Sequence, residues 1–73
     1  MEKKNIYIII GRNIKTIRKE KGLTAFQLSE KCNLSHGYIR NLEAKSVNAT
    51  ISIETLALIA KVLEVDITDL LKE

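Results

Sequence analysis

Four residues, Cys32-Asn33-Leu34-Ser35, separate two short segments that both carry helix signals, and this spacing limits the possible folds more than any other feature. A connection so short makes two helices cross steeply, so the second can stand proud of the body of the molecule. Plain helical bundles use such turns too, so the geometry is suggestive and no more. Ahead of the turn, Thr24-Ala25-Phe26-Gln27 reads as a capping box. The Thr24 hydroxyl can accept from the amide of residue 27, while the Gln27 side chain reaches back to the amide of Thr24. The helix that starts there runs to about Cys32, with Leu28 facing inward. Asn33 tolerates the left-handed conformation of a tight turn. Leu34 is apolar and expected to be buried. Ser35 is suited to cap a following helix over 36–44, with Ile39 and Leu42 inward and Tyr38 half-buried.

The flanking segments are helical as well. Ile6, Ile10, Ile14 and Ile17 recur at spacings of four, four and three, which predicts one helical stripe over 6–21. Gly22 ends it as a residue free to take positive φ. Arg18, Lys19 and Lys21 fall in its last turn, where the helix dipole favours cations. Residues 45–51 have no clear period and read as a loop. Ser52 can cap a helix over 53–63, with Leu56, Ile59, Ala60 and Leu63 as its core stripe. Glu64-Val65 is a short link. Asp66 caps a last helix over 67–71, with Asp69 near its favourable N-terminal end. The chain has no Pro and 73 residues in all, room for one domain. The expected fold is therefore all-α, five helices in a single domain over 1–73.

Charge and composition narrow the function. Residues 1–45 hold ten Lys and Arg against four acids, and residues 46–73 two Lys against five acids. A field with one basic end suits a polyanion, although an ordinary solvated helix surface gives the same numbers about as often. Ile6-Tyr7-Ile8-Ile9-Ile10 is too short to span a bilayer, and it lacks the length and cleavage site of a signal peptide. No membrane association is expected. Cys32 stands alone and one His accompanies it, so neither an internal disulfide nor a metal set is expected. A reducing cytoplasm is the expected location. No Gly-rich phosphate loop, no nucleophile–His–acid set and no paired carboxylates point to catalysis. An enzyme, a cofactor and a small-molecule substrate are all unexpected.

Beyond these features the chain resembles the Cro/lambda-repressor-like helix-turn-helix regulators, also called the Xre family. The resemblance runs from Ile10 to Leu71. It rests on Ile10-Gly11-Arg12-Asn13-Ile14-Lys15-Thr16-Ile17-Arg18, Lys21-Gly22-Leu23-Thr24, Gln27-Leu28-Ser29-Glu30-Lys31, Leu34-Ser35, Tyr38-Ile39 and Leu42-Glu43. Ile53-Glu54-Thr55-Leu56, Ala60-Lys61-Val62-Leu63 and Val65-Asp66-Ile67-Thr68-Asp69-Leu70-Leu71 complete it. It implies a helix-turn-helix at about 24–44, whose second helix reads the major groove of double-stranded DNA. By position, Ser35 would cap that helix and touch phosphate, and His36 and Gly37 would lie at its exposed tip. Arg40 and Asn41 would face outward one turn later. Their chemistry fits base edges: Asn41 an adenine, Arg40 a guanine or a phosphate. Gly37 would let backbone approach the groove, or is simply a tolerated first-turn Gly. Gln27, Lys15, Lys19 and Lys45 complete the expected DNA contacts, with Arg12 and Lys31 as further candidates. A solvated face remains the more common role for at least half of these cations. Arg18 and Glu43 match a partly buried ion pair between the first and third helices, and are read as structural.

Four departures bear on the contact set. The family usually has Gln at the first position of the second helix, where it clamps the phosphate backbone; here it is Ala25. Phe26 replaces a commonly polar residue, so it is either an exposed interface aromatic or folded onto the core. Ala44 and Lys45 stand where a Gly is frequent. The 46–52 loop is about two residues longer than the commonest form and lacks its Pro. The expected protein is a regulator of the repressor or restriction-modification controller type. A homodimer on a two-fold symmetric site is expected, fed by Ile8 and Ile9, which complete a small core in the equally weighted alternative, or by Ile67 or Leu71. The competing reading is an antitoxin-like interaction module, favoured by Ala25, Gly37 and an exposed Phe26.

Overall fold

The computed structural model describes residues 5–44 and 49–73. Its elements are α1 (Ile6–Glu20), α2 (Ala25–Cys32), α3 (His36–Glu43), α4 (Ile53–Leu63) and α5 (Ile67–Leu71). The five expected helices are present, with ends within a residue of those read from the sequence.

Each start has a local cause. The Asn5 side chain accepts from the Tyr7 amide at 2.9 Å, and Ser35 and Ser52 accept from the Tyr38 and Thr55 amides at 3.1 Å. The capping box of α2 is complete: Gln27 N–H donates to Thr24 Oγ1 at 3.0 Å, and Thr24 N–H donates to Gln27 Oε1 at 2.9 Å. At α5 the Asp66 amide donates to Asp69 Oδ2 at 3.0 Å. That carboxylate lies below its ordinary range, first because Lys72 Nζ donates to it and then because the Asp66 amide does.

The core gathers residues from all five helices, including Ile10, Ile14, Leu28, Ile39, Leu42, Leu56, Ile59, Leu63 and Leu70. The four residues expected inward on α4 are all buried. Two expectations for α1 change. Ile6, the expected start of the stripe, is 43% exposed, and Ile9, expected off the stripe, is 7% exposed. The reason is that α1 packs against α3 and α5 at once, so its buried arc is wider than one row of residues and begins a turn later. Ile9 is thus a core residue, while Ile8 and Leu71 remain exposed. Leu34, expected buried, is only half-buried because it sits in the turn between α2 and α3.

Two contacts on α1 had no counterpart in the sequence reading. A methyl group at Gly11 would overlap the Leu42 carbonyl oxygen and lie 2.9 Å from its carbon, so glycine is what lets α1 and α3 approach backbone to backbone. The Asn13 side chain donates to the carbonyls of Leu70 and Lys72 at 2.9 and 2.7 Å. It satisfies acceptors that the C-terminus of α5 leaves free, and so ties the last helix to the first.

Candidate nucleic-acid interface

The α2–α3 turn is built as its sequence requires. Asn33 is left-handed at φ 56°, and Leu34 N–H donates to Ser29 O at 2.9 Å to close the end of α2. Ser35 then starts α3. Ile39 and Leu42 turn into the core, which leaves Gly37, Arg40 and Asn41 exposed along the opposite face. Tyr38 is half-buried and its hydroxyl donates to the Thr50 carbonyl at 3.2 Å, joining α3 to the segment before α4. Burial pushes the Tyr38 phenol above its ordinary pKa.

Arg18 and Glu43 hold α3 against α1. Arg18 Nε and Nη2 donate to the two Glu43 carboxylate oxygens at 2.6 and 2.8 Å, and Nη1 donates to Leu23 O at 3.0 Å. The two side chains are 10% and 7% exposed. Hydrogen bonding to Glu43 raises the Arg18 pKa above its ordinary value, outweighing the opposing effect of burial. The expected ion pair is thus present, bidentate, and anchored to the Schellman-type end of α1.

An open cleft of about 400 Å³ lies beside this pair, lined by Lys15 of α1, Ala25 of α2, and His36, Arg40 and Ala44 near α3, together with Arg18 and Glu43. Because Glu43 neutralises Arg18, the cations of the cleft without an ion-pair partner among the described residues are Lys15 and Arg40. Lys19 lies one turn further along α1, exposed and outside the cleft. Gln27 has its Oε1 committed to the cap, which leaves its amide nitrogen for any outside partner. Gly37 has open space around its α-carbon. Lys45 lies outside the described residues.

Phe26 is 52% exposed and does not fold onto the core. Its ring meets His36 edge to face, with centroids 5.5 Å apart and planes at 88°. The sequence reading left this contact out; its only signal was an aromatic at a commonly polar position. Cys32 is buried in the core, and desolvation raises its thiol pKa, which makes it a poor nucleophile. Among the described residues, no helix is long and apolar enough to cross a membrane.

The Helix-turn-helix family model matches residues 14–70. Over 64 residues the chain is 39% identical to the immunity repressor protein of Bacillus phage phi105, covering 88% of this chain and 43% of that one. The crystal structure of SinR, the master regulator for biofilm formation, in complex with DNA superposes with a TM-score of 0.78 at 35% identity, covering 86% of this chain and 98% of that one. The restriction-modification controller protein C.Esp1396I superposes with a TM-score of 0.79 at 35% identity, covering 93% and 86%. The chain spans about half the length of the curated relatives it matches.

Proposed function

The chain belongs to the helix-turn-helix family, and from that premise we propose that it is a transcriptional regulator that binds double-stranded DNA with sequence preference. The observation that carries the reading is α3 itself: a helix fixed to α1 by a buried ion pair on one side, with Gly37, Arg40 and Asn41 free on the other. In this reading α3 enters the major groove. Asn41 reads an adenine edge, and Arg40 meets a guanine or a phosphate. Lys15 and Lys19 line up along α1 to meet the phosphate backbone, and Ser35, Gln27 and Lys45 add contacts to it. Gly37 and His36 are the closest approach of the helix tip. The whole of 1–73 acts as one DNA-binding unit without catalytic activity, and we assign it to the cytoplasm.

Such a unit offers few phosphate contacts, so we propose a homodimer on a two-fold symmetric site. Ile8 and Leu71 remain available for that contact, whereas Ile9 is taken up by the core. An antitoxin-like module is the second reading, supported by the exposed ring of Phe26.

Two variants test the assignment. Asn41→Ala should lose about 1–3 kcal/mol on the preferred duplex and almost nothing on unrelated DNA. Lys15→Ala should weaken binding to every duplex and make the salt dependence shallower by about one unit of slope. An Asn41→Ala loss that is equal on all DNA, or an unchanged slope for Lys15→Ala, removes the residue from its assigned role.

A further inference from the structure

Phe26 is the one large apolar side chain of α2 and α3 that is exposed, at 52%. Burial in the core therefore does not account for an aromatic residue there. Its backbone is held firmly. The capping box of Thr24 and Gln27 brackets it, and the Ser29 hydroxyl donates to its carbonyl at 2.6 Å. Its ring in turn packs edge to face on His36, the first residue of α3. The neighbouring positions are small: Ala25 ends in a methyl group, and Gly37 has no side chain and open space around it. Phe26 and His36 are consequently the bulk at the corner where α3 begins.

We propose that Phe26 is a specificity-determining residue that, braced on His36, forms an apolar corner receiving the C5-methyl group of a thymine in the major groove. The inference rests on the DNA-binding reading given above. Thymine is the natural base that presents an apolar group on that edge, and aromatic side chains are suited to meet it. A ring fixed on a capped helix turn needs no ordering on contact, which favours discrimination of a single methyl group. His36 contributes by fixing the plane of the Phe26 ring, and its own ring nitrogens stay free for a base or phosphate.

The test uses DNA enriched by the full chain from a random duplex library. Each thymine of the enriched duplex is replaced singly by deoxyuridine, which removes only the methyl group. Wild type, Phe26→Ala and Phe26→Leu are titrated against the set, with circular dichroism melts to establish that each variant is folded. The expected result is a thymine at which deoxyuridine weakens wild-type binding about fourfold, the value of one buried methyl group. Phe26→Ala should bind both duplexes equally there, and Phe26→Leu should retain part of the difference. If no thymine is methyl-sensitive, or if Phe26→Ala keeps the full sensitivity, the inference is overturned while DNA reading stands. If wild type enriches no sequence, the DNA-binding reading itself fails and this inference with it.

Discussion

Arg18 carries a positive charge on a basic helix, yet Glu43 withholds it from any outside anion. The pair is buried and bidentate, so its two members are worth more together than apart. Removing one leaves a largely desolvated charge without a partner, at a cost of up to about 3–5 kcal/mol. For a domain whose whole stability is about 5–15 kcal/mol, that is most of the margin at the lower end. Glu43→Ala is accordingly expected to lower the urea midpoint severely, while Arg18→Met with Glu43→Leu loses less than either single change. A double variant as unstable as the two single losses added would show that the ion pair is not the unit involved. The glycines separate by the same kind of reasoning. Gly11→Ala forces a methyl group into the backbone of Leu42, and is expected to cost at least 1–3 kcal/mol, as overpacking does. Gly37→Ala meets nothing, so it should leave the melting temperature unchanged or raised by the better helix propensity of alanine. If backbone approaches DNA at that point, the same variant binds more weakly although it is fully folded; unchanged binding would return Gly37 to a tolerated first-turn residue.

Helix ends show how element and sequence agree, and where they part. Three helices finish with a left-handed residue: Gly22 after α1, Asn33 after α2 and Glu64 after α4. In each case the next residue donates back across the turn, Leu23 to Arg18 O, Leu34 to Ser29 O and Val65 to Ala60 O, at 2.9–3.0 Å. Glycine and asparagine accept this backbone readily, whereas glutamate does so at a cost of about 1–2 kcal/mol. Glu64→Gly should recover about 0.5–1 kcal/mol after the unfolded chain gains freedom. In a domain of this size that corresponds to a melting temperature higher by roughly 2–8 °C; a lower one would mean that the Glu64 side chain stabilises α4 in its own right. The first two ends were legible because Gly22 and Asn33 are residues suited to positive φ. Glu64 was not, since only the fold imposes that backbone on it. The same contrast holds along α1. Ile10 and Ile14 announce themselves by period, but Ile9 is buried beside that row and Gly11 is explained by the close approach of α3, which a single stripe does not encode. Asn13 gives no sequence signal at all, because the carbonyls it meets belong to the other end of the chain. Of the candidate interface, Ser35 caps α3 as its residue type predicts, and Arg40 and Asn41 are exposed on α3 as the family resemblance implies. The Phe26–His36 contact was not, because it depends on how steeply two helices cross.

At the scale of the whole molecule, charge and architecture divide along the same line. The basic first part of the chain supplies α1, α2 and α3, and the acidic second part supplies α4 and α5. The two parts share one core, so α4 and α5 brace the first three helices. The cleft between α1 and α3 combines Lys15 with Arg40 next to a neutralised ion pair, an arrangement suited to a backbone phosphate flanking a groove-bound helix. Fluorescence anisotropy with the purified protein decides whether this interface reads DNA. A duplex from its own promoter is compared with a scrambled duplex of equal length, each at two salt concentrations. Promoter binding is expected to be tighter by about a thousandfold or more, with both affinities falling as salt rises. Binding to neither duplex would rule out DNA reading, and would leave the exposed corner at Phe26 as a surface for protein.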